Sequence, residues 1–181
     1  MNLIYFNFLA KTDSFINGNS NPLTHAMKFI GALLFRNDVD RLRDLLTILK
    51  SVAGYPRGIT PSEENLKSVL RKKNTVFYVA MDGDTVAGGV VAHVLPSVFG
   101  EPTSLYIQDI AVKKKYQRQK AGTLLIKCLI MHCRAFGHKN IYVQTKQSNK
   151  IAGKLFKSRN ATPTQGFHFE FDKVIKVPKG G

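Results

Sequence analysis

Apolar and polar positions divide the chain into blocks that predict a series of strands and helices. The run KFIGALLF, residues 28–35, is apolar enough to form a strand. After it, Asn37 and Asp40 offer an N-cap and an acidic first turn for a helix that carries LLTIL. The segment TPSE, residues 60–63, predicts a second helix, with the threonine as N-cap and the proline at the first helical position. We expect this second helix to end near Lys73.

Three strand-like segments follow, and the first two form a predicted hairpin. They are TVFYVAM, residues 75–81, and TVAGGVVAHVLP, residues 85–96, with the turn DGD at 82–84 between them. The glycine pair at 88–89 indicates a bulge or the close approach of another backbone. The third segment, SLYIQDIAV at 104–112, predicts a buried strand with two polar residues in its middle.

The last third of the chain predicts two helices and two strands. Apolar residues beyond Gly122 fit one broad helix face, and Gly137 is placed to end this helix. These apolar residues are Leu124, Leu125, Cys128, Leu129, Met131 and Phe136. The run IYVQT predicts a strand, a further helix is expected at 149–158, and GFHFEF at 166–171 predicts a final strand. This order of elements is typical of an α/β (α+β) domain.

Composition indicates a folded globular protein with an anionic partner. The 181 residues suit one domain, and 44% apolar with 22% charged residues is ordinary globular usage. The 27 Lys and Arg outnumber the 12 Asp and Glu, for a net charge of +15. Such a charge suits nucleic acid, an acidic membrane or a phosphorylated cofactor, and it also suits a solvated basic surface that only keeps the protein soluble. Cys128 and Cys133 point to different sides of a predicted helix, so we expect packing residues in a reducing compartment and no metal site.

The two ends of the chain differ in composition from its body. We interpret residues 1–26 as a flexible leader or a non-native start, 27–176 as a single domain and 177–181 as a flexible tail. The leader lacks the basic n-region and the cleavage site of a signal peptide. No run reaches the roughly 18 apolar residues that a membrane helix needs. We therefore expect a soluble, cytoplasmic protein that does not use a membrane.

The basic segment VKKKYQRQKAGT, residues 112–123, joins the third strand of this group to a helix. A loop at that place brings free backbone N–H groups and the positive end of a helix dipole together, which favours an anion. Ala121 and Gly122 let the backbone approach a ligand closely. We therefore favour a phosphate-binding loop. A nucleic-acid patch would need more aromatic residues than Tyr116, and a membrane patch would need a lysine-lined helix.

Three motifs stand in a recognisable order: YIQDIAV at 106–112, QRQKAG at 117–122 and NKIAGKLF at 149–156. Together they resemble the GNAT superfamily of N-acetyltransferases. That family has a bulged strand, an Arg/Gln-x-x-Gly-x-Gly/Ala loop for the pyrophosphate of acetyl-CoA, and an Asn-x-x-Ala-x-x-Leu-Tyr helix. The resemblance implies acetyl-CoA as co-substrate. It also implies a central mixed, twisted sheet of about six to seven strands flanked by about four helices.

Within the family, the chain from Val86 to Asp172 is similar to the type I aminoglycoside 3-N-acetyltransferases. The similarity lies in VAHVLPSVFGEPTSLYIQDIAV, IYVQT and FHFEFD. In that subfamily an aspartate follows a tyrosine on the bulged strand and contacts the acceptor amine. Asp109 stands at the aspartate position, and Gln108 replaces the tyrosine. The implied function is direct acetyl transfer from acetyl-CoA to the 3-amino group of aminoglycoside antibiotics, which is a resistance activity.

The resemblance implies a site with a catalytic, a coenzyme and a substrate part. Asp109 is the candidate base for the amine, and a backbone N–H near Ile110 or Ala111 is the candidate donor to the thioester oxygen. The predicted coenzyme-binding residues are Ile110, Ala111, Val112, Gln117, Arg118, Gln119, Lys120, Ala121, Gly122, Thr123, Asn149 and Phe156. The predicted substrate-binding residues are Glu101, Gln108, Asp109, Glu170 and Asp172.

Three further residues depart from the family pattern. Phe156 replaces the tyrosine that protonates the leaving thiolate, so we expect slower turnover. Lys120 replaces a loop glycine and either crowds the pyrophosphate or adds a charge to it. Asn160 replaces a glycine after the last helix, where asparagine tolerates a left-handed conformation.

Two other functions stay open beside the aminoglycoside activity. The first is acetylation of another amine, such as a polyamine, a small metabolite or a protein lysine. The second is a GNAT-fold binding module that has lost turnover; nucleic acid is a disfavoured partner, and a homodimer stays open. The histidines show no ligand or triad spacing and are interpreted as packing or surface residues. They are His93, His132, His138 and His168.

Overall fold

The computed structural model describes residues 28–53, 60–100 and 102–166. In this part of the chain one five-stranded sheet has the order β1-β2-β3-β4-β5. The strands are β1 (Ile30–Leu33), β2 (Thr75–Asp82), β3 (Thr85–Leu95), β4 (Ser104–Val112) and β5 (Asn140–Val143). The pairs from β1 to β4 are antiparallel, and β5 pairs with β4 in parallel. The predicted count of about six to seven strands is not confirmed, because the strand expected at GFHFEF lies outside the described residues, apart from Gly166.

Helices cover both faces of the sheet. They are α1 (Val39–Ala53), α2 (Glu63–Leu70), α3 (Ala121–Phe136) and α4 (Lys150–Lys157). On one face α1 and α2 bury Leu42, Leu45 and Leu66 against the sheet. On the other face α3 and α4 bury side chains that include Leu125 and Phe156. The predicted mixed α/β architecture with four flanking helices is confirmed.

Local signals place the helix ends with small errors. Asp38, and not Asn37, lies directly before α1, and its carbonyl oxygen accepts from the N–H of Leu42. Ser62, and not Thr60, is the N-cap of α2, since its Oγ accepts from the N–H of Asn65 at 3.2 Å. Serine competes as well as threonine for this position, so the TPSE motif left the cap ambiguous by two residues.

The end of α3 is as predicted, and so is its buried face except at Phe136 and the partly buried Met131. Gly137 takes a left-handed conformation with φ 73° after Phe136. Phe136, predicted as part of the apolar face, is 62% exposed. His132, one turn earlier on the helix, is 8% exposed.

The glycine pair predicted to mark a close approach does so on both faces of β3. A Cβ on Gly88 would lie 2.6 Å from the carbonyl oxygen of Ala111, and one on Gly89 would lie 2.5 Å from Leu45 Cδ1. The register also shifts between Ala80 and Met81 of β2, so that β3 carries an extra residue beside the glycines. The backbone of β4 therefore lies so close to Gly88 that a side chain at this position of β3 would not fit.

A Gly88→Ala variant is expected to lose stability, because the methyl group would meet the β4 backbone, which cannot rotate away. We expect a loss of about 1–3 kcal/mol in the free energy of unfolding, measured by urea denaturation. Gly153→Ala is the matched control: a Cβ on Gly153 in α4 has no atom within 4 Å. Alanine should stabilise that helix by about 1 kcal/mol. Equal effects of the two substitutions would contradict this explanation of the close approach.

A buried aromatic cluster fills the far end of the α3 side. The ring of His132 stacks on the ring of His138 with centroids 5.6 Å apart. The hydroxyl oxygen of Tyr78 lies 3.4 Å from Nδ1 of His132. Burial, with the positive form of His138 as a smaller contribution, lowers the pKa of His132 from 6.5 to about 4. Burial raises the pKa of Tyr78, and it raises the pKa of Cys128 to about 11. His132 is therefore a neutral packing residue, as the sequence predicted.

This histidine should make the fold sensitive to acid. The unfolded chain binds a proton at His132 below pH 6.5, whereas the folded chain does so only near pH 4. Between these values the unfolded state holds more protons, so stability rises with pH and is fully present above the upper value. We expect a loss of up to about 3 kcal/mol as pH falls through this window. Urea denaturation at several pH values measures it. A His132→Gln variant should show a smaller slope, and an unchanged slope would contradict the assignment.

Cys128 and Cys133 are both free and buried. Burial raises the pKa of Cys133 to about 11 as well, so both thiols stay protonated near neutral pH. Within the described ranges, no cluster of three or more His, Cys, Asp or Glu is arranged to hold a metal ion. No helix in those same ranges has the length and apolar character to cross a membrane.

Candidate active site

A β-bulge in β4 is the centre of the candidate site. Val91 of β3 pairs with Asp109, and the next residue, Ala92, pairs with Ile107, so Gln108 is the extra residue. The two polar residues that interrupted the apolar pattern of the strand are therefore the bulge itself. Gln108 is exposed and Asp109 is half-buried.

The sheet opens on the other side of the same bulge. The parallel pairing of β4 with β5 runs from Ser104 to Ile107, where Ile107 meets Val143, and includes no later residue of β4. The N–H of Lys113 bonds to the carbonyl of Ala87 on β3 at 2.9 Å. Because N–H groups alternate along a strand, those of Ile110 and Val112 point away from β3, into this opening. The N–H of Ala111 points toward β3.

The loop after β4 ends at the N-terminus of α3 in an unusual backbone conformation. Arg118 has φ 61° and Lys120 has φ 69°, both in the left-handed region. Lys120 is the N-cap of α3, and no side chain caps the helix there. The first intrahelical bond goes from the N–H of Leu124 to the carbonyl of Lys120. The N–H groups of the first three helical residues, 121–123, have no partner within the helix and lie at its positive end.

Side chains around this loop hold its shape. Gln117 Nε2 donates to the carbonyl of Val112 at 3.0 Å, and Gln119 Nε2 donates to the carbonyl of Lys115 at 2.7 Å. Lys28 Nζ donates to Gln119 Oε1 at 2.6 Å and lies 5.4 Å from the ring centre of Tyr116. Tyr116 is 7% exposed and belongs to the core. This buried tyrosine presents little surface for stacking on a nucleic-acid base.

Helix α4 packs beside the loop and against the start of α3, and it forms one side of the candidate site. Asn149, predicted to bind the coenzyme, is the N-cap of α4, and its Oδ1 accepts from the N–H of Ala152 at 3.1 Å. A Cβ on Gly122 would lie 3.2 Å from Leu155 Cδ2, so the absence of a side chain lets α3 and α4 approach. Phe156 is 7% exposed and lies in the core on the α3 side. After the helix, Asn160 has φ 63°, the left-handed conformation expected of it.

A Lys120→Gly variant should be more stable than the wild type, because lysine at φ 69° carries a steric cost that glycine lacks. The cost is about 1–2 kcal/mol, and the greater freedom of glycine in the unfolded chain offsets part of it. We expect a net gain of about 0.5–1 kcal/mol in the free energy of unfolding. Lys120→Ala removes the same charge and keeps the strain, so it should not stabilise. A gain in both variants would assign the effect to charge.

The bulge contacts a polar group that the sequence did not assign to the site. His93 Nε2 makes a short hydrogen bond with Gln108 Oε1, and His93 Nδ1 lies 3.4 Å from Thr75 Oγ1. His93 was interpreted as a packing or surface residue because its partners are far away in sequence. The hairpin register of β3 and β4, with His93 opposite Tyr106, was the signal that could have found it.

The predicted site residues fall into two groups. The structure brings residues 108–112, the loop at 117–120 and the start of α3 to one end of the sheet, with α4 beside them. Glu101, Glu170 and Asp172, predicted to bind the substrate, lie outside the described residues. His168 lies outside them as well.

The bulged strand, the loop at 117–122 before α3 and the asparagine-capped α4 correspond to the three motifs on which the resemblance rests. The sequence pattern of the Acetyltransferase (GNAT) family matches residues 41–160. The chain belongs to this family of N-acetyltransferases, whose members use acetyl-CoA as co-substrate. No protein with a curated function matches the sequence significantly.

Solved structures with the same fold include aminoglycoside acetyltransferases. One, from an uncultured soil metagenomic sample, was solved in complex with trehalose and in complex with sisomicin. Its sequence is 25% identical to this chain, the TM-score is 0.77, and the match covers 82% of this chain and 97% of that chain. A second from an uncultured soil metagenomic sample has 23% identity and TM-score 0.74, covering 80% and 98%. AAC(6')-Iy, in complex with the bisubstrate analogue CoA-S-monomethyl-acetylneamine, has 14% identity and TM-score 0.67, covering 80% and 97%.

Proposed function

We propose that this chain acetylates the 3-amino group of aminoglycoside antibiotics by direct transfer from acetyl-CoA, without a covalent enzyme intermediate. The observation that carries the proposal is the bulge at Gln108, which opens the β4–β5 pair beside the uncapped start of α3. One elongated coenzyme can then present its thioester to β4 and its diphosphate to α3. The similarity to an acetyltransferase solved with sisomicin supports an aminoglycoside as the acceptor.

The diphosphate is assigned to the loop and the first turn of α3. The N–H groups of Ala121, Gly122 and Thr123 supply donors at the positive end of the helix. Arg118 and Lys120 add cations, and their left-handed conformations turn the loop backbone around the anion. Gln117 and Gln119 act through their side-chain bonds, which hold the loop in this shape. Asn149 holds the start of α4 in place beside them.

The thioester is assigned to the open side of β4. The N–H of Ile110 points into the opening, so it is the donor that faces the thioester oxygen as this oxygen becomes negative. The strand register favours Ile110 over Ala111 for this role, because the N–H of Ala111 is directed to β3. The N–H of Val112 is the next donor on the same side and suits the amide groups of the pantetheine arm.

The acceptor amine is assigned to Asp109 on the bulge. An ammonium group must lose a proton before it can attack, and the carboxylate takes this proton directly or through a water molecule. The amine nitrogen then bonds to the acetyl carbon while the carbon–sulfur bond breaks. Phe156 has no proton to give to sulfur. A thiol with a pKa near 8.5 leaves as a thiolate, and the second proton, which the nitrogen loses as the amide forms, reaches this thiolate through water.

A polycationic acceptor needs local acids in a protein of charge +15. Asp109 provides one carboxylate at the bulge. Glu101, Glu170 and Asp172 stay predictions for this role, and their position relative to Asp109 is part of the proposal. Removing them one at a time should raise KM for the aminoglycoside if they line its binding surface.

The test is acetyl transfer by the whole chain across a panel of amines, measured by release of the thiol of coenzyme A. We expect transfer to sisomicin and gentamicin, and calorimetry should detect acetyl-CoA binding. Transfer only to spermidine, a small metabolite amine or a lysine peptide would replace the aminoglycoside with another acceptor. Binding of acetyl-CoA with no transfer to any amine would indicate a binding module.

A further inference from the structure

The bulge places two successive polar side chains on one face of the sheet. Asp109 pairs with Val91, which belongs to the core under α1 and α2. Gln108 contacts His93, which follows Val91 by two residues and therefore shares its face. Neighbours on a regular strand would point to opposite faces, so the extra residue is what brings the amide and the carboxylate side by side.

A chain of hydrogen bonds across three strands fixes the orientation of Gln108. Its Oε1 is the atom in contact with His93, and an amide oxygen only accepts, so His93 Nε2 donates. In the neutral ring Nδ1 is then the acceptor nitrogen, and the hydroxyl of Thr75 lies 3.4 Å from it, which is a long hydrogen bond. Among the described residues, the Gln108 side chain makes one hydrogen bond, which is the bond to His93. Because the oxygen is engaged, the exposed side chain offers its NH₂ group to a ligand.

We propose that Thr75 and His93 are positioning residues that fix Gln108 as a hydrogen-bond donor beside the Asp109 carboxylate. Gln108 and Asp109 together select acceptors in which the reacting amine has a hydroxyl or ether oxygen on a neighbouring carbon. The carboxylate takes the proton of the amine, and the amide NH₂ donates to the oxygen. A simple amine leaves this donor without a partner, and such mismatches are where hydrogen-bonding sites discriminate most. The inference rests on the proposed acetyl transfer and assigns its selectivity.

The test compares two diamines of similar shape and charge. 2-Deoxystreptamine carries a hydroxyl group beside each amine, and cis-1,3-diaminocyclohexane carries none. We expect the wild type to prefer 2-deoxystreptamine roughly tenfold or more in kcat/KM, since a hydrogen-bonded donor that loses its partner costs about that factor. Gln108→Leu should bring the ratio of the two kcat/KM values close to one.

The positioning residues are tested with shape-preserving variants. His93→Phe removes both ring hydrogen bonds, and Thr75→Val removes only the distant one. We expect His93→Phe to reduce the preference nearly as far as Gln108→Leu, through KM for 2-deoxystreptamine more than through kcat. Thr75→Val should have a smaller effect in the same direction. His93→Gln keeps a side-chain N–H donor and should retain part of the preference, which a residue needed only for folding would not show.

The outcomes separate this inference from the proposed function. Equal kcat/KM values of the wild type on the two diamines would leave acetyl transfer intact and overturn the selectivity. A preference that survives in Gln108→Leu would assign it to other residues and overturn the role of the Gln108–His93 pair. No transfer to either diamine or to any aminoglycoside, in a protein that binds acetyl-CoA, would overturn the proposed function and the inference with it.

Discussion

An Asp109→Asn variant is expected to transfer acetyl groups about 10²–10⁴-fold more slowly than the wild type at neutral pH, which is the usual contribution of a positioned base. Asparagine keeps the shape of the side chain and its hydrogen-bonding ability but cannot take the proton of the ammonium group. The measurement is kcat by thiol release with saturating acetyl-CoA. The deficit should shrink as pH rises, because more of the amine is then already deprotonated.

The control has the same change of charge away from the bulge. Asp84 lies in the exposed turn between β2 and β3, and asparagine suits such turns, so Asp84→Asn should transfer at the wild-type rate. Coenzyme binding should be unchanged in both variants, because the diphosphate is assigned to α3. If Asp109→Asn is as fast as the wild type across the pH range, the carboxylate is not the base.

Features that depend on neighbouring residues could be predicted from the sequence. The turn at 82–84 and the left-handed Gly137 follow from local chemistry and were found where expected. The family resemblance implied the bulge in YIQDIAV, and the residues agree with it, because Gln108 and Asp109 interrupt an apolar strand. In a half-buried strand, two polar residues in succession break the alternation that a regular ladder requires.

Features that depend on strand register were beyond the sequence pattern. His93 became part of the site only through its place opposite the bulge, since Gln108 is fifteen residues later in the chain. Phe136 was assigned to the core by its spacing, although its side chain is 62% exposed. Both errors have one physical origin: periodicity shows which residues share a face of one element, and not what lies opposite each of them in the folded chain.

Two of the departures from the family motifs, Lys120 and Phe156, have different structural consequences. Lys120 keeps the backbone conformation of a glycine and pays for it in strain, so the loop geometry survives the substitution. Phe156 keeps the packing of a tyrosine and loses its hydroxyl group, so this side of the site survives and a proton donor does not. In the proposed site the loop and the helix therefore keep their shape beside the coenzyme, while the chemistry is assigned to β4.

A Thr123→Glu variant is expected to weaken acetyl-CoA binding about a hundredfold, because a carboxylate would stand where the diphosphate is assigned. Thr123 is the third residue of α3, and its N–H is one of the donors left without a partner within the helix. Two like charges about 4 Å apart at a protein surface repel by about 4 kcal/mol, more than enough for this loss. The dissociation constant is measured by calorimetry.

The same substitution should leave the fold intact or strengthen it. A glutamate in the first turn interacts favourably with the helix dipole, by about 0.3–1 kcal/mol, so weak binding would not reflect unfolding. Thr123→Gln has the same size without the charge and should bind acetyl-CoA within a few-fold of the wild type. Added salt should restore part of the affinity of the glutamate variant, because exposed charges are screened. Equal affinities of the glutamate and glutamine variants would contradict the assignment of the diphosphate to the start of α3. They would also contradict the alignment of the thioester along β4, which depends on that assignment.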